Sequence, residues 1–480
     1  MKWVFLSLYL ITIVVVAVLT SKKVSSLNEF HLGGRNIGPW LSAFAYGTTY
    51  FSAVIFVGYA GKLGWGFGTA ATWIGIGNAL IGAALAWAVL GNKTREMTQR
   101  IGATTMPEFF ELRYNSKALK IAAALVIFIF LVPYSASVYQ GLGLLFESTF
   151  GLPFEVCMVI IAAFTLIAVF LGGYLGSVVI DFVQGLVMIF GVVMMMVFLF
   201  KHMGGVSAGM DALRTANPAL TSAFGPDPKN LLWMVCLTSF GVWGLPQMVH
   251  KFYAIKDKKS VKIGMIVSTA FALLIGGCAY FAGAFSRVVL DITDPAVVGG
   301  VDALVPNMLF AAMPEWMLGL IIVLVLSASM STLQSLVMVS SSAIAIDLVK
   351  GVFKPDMSDK SCKNLMRALF VVFVAASLII AWGNFAEIVT LMSMSWGTVA
   401  GCIMGPYIYG VTCKRTTKAG AAAGFFAGLA VAVVLTIALG TGKAPFTGCM
   451  SMLSSMVVTP IVSLMTPALP KELLKKAFGK

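Results

Sequence analysis

Apolar stretches of about 20 residues recur along almost the whole of this 480-residue chain, and most charged residues fall between them. A helix of about this length crosses the hydrocarbon core of a bilayer, where every backbone polar group must be bonded within the protein. With 59% hydrophobic and 11% charged residues, the chain is predicted to be an all-α polytopic membrane protein. Thirteen transmembrane helices are predicted, at 3–20, 39–61, 68–90, 118–146, 154–172, 177–200, 230–249, 261–286, 317–349, 364–383, 386–410, 419–440 and 448–466.

The positive charges are distributed unevenly between the two sides of this arrangement. A formal net charge of +14 would suggest a nucleic-acid partner in a soluble chain, but in a membrane protein cationic loops mark the cytoplasmic side. Most of the 33 Lys and Arg residues fall in alternate loops. We therefore expect a cell-membrane protein (plasma or inner membrane) with its N-terminus outside, its C-terminus in the cytoplasm, and lipids around it. No nucleic-acid partner and no obligate protein partner are indicated.

Several functional classes are disfavoured. The seven cysteines are scattered singly, and His31, His202 and His250 lie at span ends or in loops, so a zinc or other transition-metal site is not expected. The sequence has no P-loop for ATP, and no extramembrane stretch is long enough for an enzyme domain. Polar residues are confined to the middle of a few spans, which disfavours a channel. A secondary transporter remains.

Two predicted spans contain residues that weaken a helix at mid-depth. The second span contains Ala45–Ser52, which is rich in Gly, Thr and Tyr, and the seventh contains Phe240–Gln247. Pro246 removes a helix hydrogen bond, and the neighbouring glycines ease unwinding. Gly and Pro can also serve only to bring membrane helices close together. The interrupted-helix interpretation predicts a binding site at mid-depth, as in transporters built from inverted repeats.

The two interrupted spans lie five spans apart, which indicates two repeats of five helices with opposite orientation. The whole chain, 1–480, is then one transporter domain. It is divided into a leading helix at 3–20, repeats at 39–200 and 230–410, and two additional helices at 419–466.

The ninth predicted span carries a row of small and hydroxyl residues. Ala328, Ser331, Thr332 and Ser335 follow helical spacing and therefore share one face. Hydroxyl and carbonyl oxygens are hard, neutral ligands that suit an alkali cation. Such hydroxyls can instead bond back to the carbonyl one turn earlier. Asp181 lies in the apolar sixth span, where a carboxylate is costly and is expected to pair with a cation.

Several short motifs resemble those of the sodium:solute symporter family, which includes bacterial proline, pantothenate, sialic acid and sugar symporters. The resemblance covers nearly the whole chain, although Phe425 and Phe426 depart from the family's usual smaller or aliphatic residues. The matching segments are Phe30–Arg35, Thr105–Tyr114, Asp181–Gln184, Gly244–Gln247, Ala328–Ser335, Ser340–Ile344 with Asp347, and Gly410–Ala430.

The resemblance implies a LeuT-type 5+5 inverted repeat with one extra N-terminal and two extra C-terminal helices. It also implies sodium as the coupling ion and a small organic solute as cargo, imported by alternating access. Asp181 and Ser335 match positions that help to bind a second sodium in some members, and a proton-coupled transporter with Asp181 as carrier is the alternative. The main sodium site implied by the family consists of Thr48, Phe51, Ala328, Ser331 and Thr332.

The solute is harder to read from the sequence. We expect no Lys or Arg deep within a core span, which disfavours arginine-dependent binding of a carboxylate, and Ile55 stands where sugar-transporting relatives have a polar residue. A small amino acid or similar zwitterion is favoured, with a carboxylate or sugar as the alternative. Each candidate wall residue can also be a packing residue. The candidates are Thr49, Tyr50, Ser52, Asn78, Gln140, Trp243, Gln247 and Ser395.

Overall fold

The computed structural model describes residues 1–21 and 26–479, and every regular element in this part of the chain is a helix. Short 3₁₀ turns join several of the helices. The helices of the first half are α1 (Lys2–Ser21), α2 (Leu27–Leu32), α3 (Pro39–Tyr50), α4 (Val54–Ile101), α5 (Met106–Tyr114), α6 (Lys117–Phe150), α7 (Phe154–His202) and α8 (Val206–Ala216).

The second half continues in the same style and ends in a short amphipathic helix. Its helices are α9 (Pro228–Gly241), α10 (Pro246–Ala254), α11 (Lys258–Gly283), α12 (Ser286–Leu290), α13 (Leu304–Ala312), α14 (Glu315–Phe353), α15 (Asp359–Gly383), α16 (Ile388–Thr412), α17 (Lys418–Leu439), α18 (Ala444–Met465) and α19 (Lys471–Phe478).

Eleven helical stretches in the described residues are long and apolar enough to cross a membrane. Two of them, α4 and α7, have 48 and 49 residues, so each would be about 70 Å long if straight, more than twice the hydrocarbon thickness. Each contains one glycine with positive φ, Gly68 at +61° and Gly173 at +53°, where the helical course is broken. The predicted number of thirteen is not confirmed. It stays a prediction that places the fifth and sixth spans in α7, and the third span together with the end of the second in α4.

Both predicted interruptions are confirmed by the backbone. Helix α3 ends at Tyr50, and Phe51 is extended at φ −110° and ψ 124° before the chain turns helical again at Ala53. The N–H groups freed by this break are bonded to hydroxyls, because Ser329 Oγ accepts from Ala53 at 2.8 Å and Ser52 Oγ accepts from Val54 at 3.2 Å. Hydroxyl side chains thus make irregular backbone tolerable at this depth.

The second interruption separates α9, which ends at Gly241, from α10, which begins at Pro246. Pro246 occupies the first position of α10, where its missing N–H costs nothing. Gly244 allows this turn to lie against α16, because a Cβ there would come within 2.9 Å of the Ala400 Cα. The two half-helices of this span are therefore held in place by close backbone packing.

Burial separates the inner helices from the outer ones. Nearly all of α14 and α16 is buried, whereas α1 and α17 expose most of their apolar surface. Leu8 on α1 and Ile437 on α17 are among the exposed large hydrophobic residues. In a polytopic membrane protein such faces are covered by lipid. The interrupted α3 packs against α14 in the interior, which is where the candidate site lies.

Candidate cation and solute site between α3 and α14

The last turn of α3 is hydrogen-bonded to the middle of α14. Ser331 Oγ donates to Thr48 Oγ1 at 2.7 Å, and Thr332 Oγ1 lies 3.1 Å from the Thr49 carbonyl and 3.2 Å from the Ala328 carbonyl. All five residues are buried. Two distant segments of the chain therefore bring three hydroxyls and two carbonyls to one place, beside the extended backbone at Phe51.

This oxygen set fits a monovalent cation by its chemistry. The ligating atoms are neutral and hard, and no thiolate or imidazole is among them. One of these hydroxyls also bonds back to the carbonyl one turn earlier in its own helix, since Thr48 Oγ1 donates to the Phe44 carbonyl at 2.8 Å. The hydroxyl hydrogen bonds across the α3–α14 contact are the ones that an ion between the helices would replace.

Asp181 on α7 is fully buried, and its partner among the described residues is Lys251 on α10. Lys251 Nζ lies 3.8 Å from Asp181 Oδ2 and donates to Ser335 Oγ at 3.1 Å. Ser335 Oγ is in turn 3.1 Å from Thr49 Oγ1. The lysine also lies over the ring of Tyr174, 5.4 Å from its centroid. The predicted cation partner of Asp181 is thus a side chain of the protein itself.

The expectation that no Lys or Arg lies deep in the core is wrong for Lys251, which is 2% exposed. The error came from assigning this lysine to a cationic loop, whereas α10 continues past the break as far as Ala254. One signal was present in the sequence. Gln247 and Lys251 are four residues apart on the half-helix that follows Pro246, so they share the face of an interrupted helix.

Two contacts that the sequence alone does not indicate lie at the end of the molecule where α2, α5 and α10 meet. His31 and His250 do come together, with their Nε2 atoms 3.3 Å apart. Close by, Ile37 and Ile255 form an isolated parallel bridge between the segments that follow α2 and α10. Spacing along the sequence carries no trace of such a long-range bridge.

The second contact is made by Asp347, which regular helical spacing would place one turn from Lys350. Thr105 Oγ1 donates to Asp347 Oδ1 at 2.6 Å, whereas Lys350 pairs with Asp359. The π-helical turn that begins at Ala343 rotates the residues relative to regular α spacing, so positions three apart no longer face each other. Thr105 also caps α5 by accepting from the Glu108 N–H at 3.1 Å.

Some of the predicted solute residues lie together beside the break in α3. Tyr50 Oη donates to the Thr238 carbonyl of α9 at 2.8 Å, and Ser239 Oγ next to it donates to Asn78 Oδ1 at 3.3 Å. The ring of Trp396, on α16, lies 6.1 Å from that of Tyr50. Buried polar atoms without a hydrogen-bond partner in the described part of the chain include Asn78 Nδ2, Trp396 Nε1 and Gln247 Oε1.

The remaining candidates have other positions or engaged polar atoms. Gln140 lines a cavity of about 610 Å³ near Asn384, to which its Nε2 donates at 2.7 Å. Trp243 Nε1 donates to the Ile81 carbonyl at 3.1 Å, and Ser395 Oγ donates to the Phe130 carbonyl. Thr49 and Ser52 bond at the helix break, to Ser335 and to the Val54 N–H.

Comparison with known proteins places this architecture among transporters. The model of the sodium:solute symporter family matches residues 30–428. The osmoregulated proline transporter OpuE of Bacillus subtilis (strain 168) is 28% identical, with 98% of this chain and 96% of that protein covered. The high-affinity proline transporter PutP of the same strain is 29% identical, with 86% and 87% covered.

Solved structures share the fold at lower identity. A Na⁺-coupled sialic acid symporter in a substrate-bound outward-open state has a TM-score of 0.79 at 17% identity, covering 97% of this chain and 98% of that one. A nucleobase-cation-symport-1 family transporter in a closed conformation has a TM-score of 0.59 at 15% identity, with 94% and 98% covered. The LeuT-type fold expected from the sequence is therefore confirmed.

Proposed function

The chain belongs to the sodium:solute symporter family, and from this premise we propose that it is a sodium-coupled importer of a small amino acid or similar zwitterion. The observation that carries the proposal is the contact of the broken end of α3 with α14, where Thr48 meets Ser331 and Thr49 meets Thr332. An oxygen-lined contact between an interrupted helix and a continuous one is where transporters of this design bind their coupling ion.

The proposed sodium ligands are the Thr48 and Phe51 carbonyls from the break, the Ala328 carbonyl, and the Ser331 and Thr332 hydroxyls. The two hydroxyls bond to Thr48 and Thr49 on α3, and sodium would take the place of these cross-helix hydrogen bonds as a common partner of both helices. Binding then favours one arrangement of α3 against α14, and this differential affinity shifts the conformational population.

One sodium ion supplies enough free energy for concentrative uptake. Entry down 100 mV contributes about 2.3 kcal/mol, and a tenfold sodium gradient adds about 1.4 kcal/mol. Together they can concentrate a neutral solute by a few hundredfold. A zwitterion carries no net charge, so the membrane potential would act on the ion alone.

The proposal of a zwitterion rests on the chemistry beside the break and on the relatives. The proteins OpuE and PutP are named as proline transporters. Tyr50 and Trp396 offer aromatic walls, and Asn78 and Gln247 hold buried amide atoms without partners in the described residues. Gln247 lies in the first turn of α10, whose N-terminal end favours a carboxylate.

The proposed setting is the cell membrane, with the N-terminus outside and the C-terminus in the cytoplasm, as the charge distribution predicts. The repeats at 39–200 and 230–410 would then rock against each other around the site. The family resemblance gives Asp181 and Ser335 as a possible second position for sodium or for a proton, and Lys251 faces both residues. A proton-driven transporter with Asp181 as carrier is the alternative function, favoured by the complete burial of that carboxyl.

Uptake into proteoliposomes tests the proposal. Purified protein is reconstituted and supplied with proline and other amino acids under a sodium gradient or a proton gradient alone. Uptake driven by the sodium gradient is expected for the wild-type protein. Thr332→Ala, which removes a proposed sodium ligand, should abolish this sodium-driven uptake. Thr165→Ala is the matched control, because it also removes a buried hydroxyl, one that donates to the Ile161 carbonyl of its own helix. Uptake driven equally well by protons without sodium would overturn the proposal.

A further inference from the structure

The second cation position is already filled by a side chain. Lys251 Nζ lies between Asp181 Oδ2, at 3.8 Å, and Ser335 Oγ, at 3.1 Å, which are the two residues expected to bind a second sodium. Lys251 is 2% exposed and Asp181 is fully buried. The ammonium group also faces the ring of Tyr174. A carboxylate, a hydroxyl and an aromatic face thus surround one ammonium group, and at 3.8 Å the carboxylate is held by charge attraction, without a hydrogen bond to either of its oxygens in the described residues.

The energetics of burial explain why these groups occur together. An isolated carboxylate or ammonium in this interior would be strongly unfavourable, and removing one member of a buried pair leaves the other uncompensated. In the described part of the chain, Lys251 is the only Lys or Arg within 4 Å of the Asp181 carboxylate. The neutral pair therefore satisfies the charge of Asp181 without an ion from solution.

We propose that Lys251 is the built-in second cation of this transporter. Its ammonium group holds the position beside Asp181 and Ser335 permanently, so each transport cycle carries one sodium ion rather than two. The inference rests on the proposed function, since it concerns the number of sodium ions coupled to the solute. It assigns Lys251 as a positioning residue that sets the ion stoichiometry.

The same contacts connect the built-in cation to the proposed sodium site. Lys251 donates to Ser335, Ser335 is hydrogen-bonded to Thr49, and the Thr49 carbonyl lies 3.1 Å from Thr332 Oγ1. The chain of bonds runs from α10 through α14 to the broken end of α3. A tethered ammonium at one end keeps α10, the half-helix after the second break, attached to the ion-binding face of α14.

Accumulation at equilibrium measures the stoichiometry directly. Proteoliposomes with the wild-type protein receive a tenfold sodium gradient, with the membrane potential held at zero by a potassium ionophore. One coupled sodium gives about tenfold accumulation of the solute, and two give about a hundredfold. The proposal expects about tenfold. A hundredfold value would overturn it, whereas no sodium-driven accumulation at all would contradict the proposed function instead.

Lys251→Gln identifies the residue responsible. This change removes the ammonium group and leaves Asp181 and Ser335 facing a polar amide, so a second sodium is expected to enter. Accumulation should rise toward a hundredfold, and the Hill slope for sodium should rise from about 1 toward 2. The double variant Lys251→Gln/Asp181→Asn removes both charges and should return to tenfold. Lys251→Arg, which keeps a cation, is the matched control.

If Lys251 had only a structural role, its substitution would lower activity without changing the accumulation ratio or the Hill slope for sodium. Active Lys251→Gln protein that still accumulates the solute only tenfold would therefore overturn the proposal. If that variant does not fold, equilibrium binding of radioactive sodium to the wild-type protein decides the question. One bound sodium per chain is expected, and two would contradict a built-in cation.

Discussion

Ser331 Oγ and Thr48 Oγ1 lie 2.7 Å apart although the two residues are separated by 283 positions in the sequence. The contact joins the interior of a continuous helix, α14, to the last turn of an interrupted one, α3. The Thr48 hydroxyl donates its proton to the Phe44 carbonyl of its own helix, and its oxygen accepts from Ser331 across the helix boundary. This relationship provides the most direct test of the proposed sodium site.

The first prediction is a strong energetic coupling between these two hydroxyls. Ser331→Ala should raise the sodium concentration for half-maximal uptake by about tenfold, the cost of one lost oxygen contact to a charged species. Thr48→Val keeps the carbonyl ligand and removes only the hydroxyl that accepts from Ser331, so it should raise this concentration by a smaller factor. Because both residues contribute to one site, their effects should not be independent. The double variant should raise the half-maximal sodium concentration by clearly less than the product of the two single-variant factors. Sodium-dependent proline uptake measures all three variants.

Ser377→Ala is the control for this cycle, because its buried hydroxyl donates only within its own helix, to Phe373 at 2.8 Å. Strictly multiplicative effects of the two site substitutions would show that the residues act independently and do not share an ion.

The second prediction concerns the solute. Tyr50→Phe removes the hydroxyl that donates to the Thr238 carbonyl and keeps the ring beside Trp396. We expect the solute KM to rise by roughly tenfold, about 1.4 kcal/mol, with little change in sodium affinity. Gln140→Ala, in the cavity near Asn384, should leave the solute KM unchanged because it lies apart from the break. If Gln140→Ala raised the solute KM and Tyr50→Phe left it unchanged, the solute would bind in that cavity and not beside the break.

Some features of this fold are encoded locally in the sequence, and others are not. The breaks after Tyr50 and Gly241 were predictable because Gly, Pro and hydroxyl residues act on the backbone at their own positions. The shared face of Ser331 and Thr332 followed from helical spacing alone. Contacts between distant segments could not be predicted in this way. The contact of Lys251 with Asp181 depends on the direction that α10 takes after the break, and the periodicity of the sequence does not encode this direction.

The roles of Tyr50, Asn78, Gln140 and the other proposed solute residues were less predictable for a related reason. Polar residues in membrane helices look alike in sequence whether they bond to a neighbouring backbone or line a site. The Ser395 hydroxyl donates to the Phe130 carbonyl, whereas the amide nitrogen of Asn78 has no hydrogen-bond partner in the described residues. Only the packing of the helices separates these two cases.

The third prediction tests the close packing of the C-terminal helices. A Cβ at Gly428 on α17 would lie 2.0 Å from the Gly401 carbonyl oxygen on α16, so Gly428→Ala must push the backbones apart. Overpacking of this kind costs about 1–3 kcal/mol. Thermal unfolding in detergent should show a drop of several degrees. Gly442→Ala, whose Cβ would meet nothing within 4 Å, is the control and should leave Tm nearly unchanged.

The fourth prediction concerns pH and Asp302, which lies in the short turn before α13. Asp302 Oδ2 accepts from the Ile388 N–H at 3.1 Å, at the start of α16. Burial, together with the charge of Glu387, raises the pKa of the Asp302 carboxyl from 3.8 to about 6, against the opposing effect of the Ile388 hydrogen bond. The folded protein therefore holds this proton more tightly than the unfolded chain does.

The sign of the pH effect follows from that difference. The stabilising contribution is complete below the ordinary aspartate pKa and is lost as the pH rises through about 6. Asp302→Asn keeps an oxygen acceptor for Ile388 but cannot ionise. Its Tm relative to the wild type should therefore increase by a few degrees between pH 5 and pH 7.5, as measured by thermal unfolding in detergent.

Asp257 provides a control of opposite sign for this pH prediction. Its carboxylate caps α11 by accepting from the Ser260 N–H at 2.7 Å, and hydrogen bonds from Ser260 lower its pKa. The stabilising contribution of Asp257 is therefore present above its ordinary pKa and is lost only in more acidic solution. Asp257→Asn should lower Tm by the same amount at pH 5 and pH 7.5. The Tm of Asp302→Asn relative to the wild type should instead change between the two pH values. If it is the same at pH 5 and pH 7.5, Asp302 is ionised in the folded protein throughout this range.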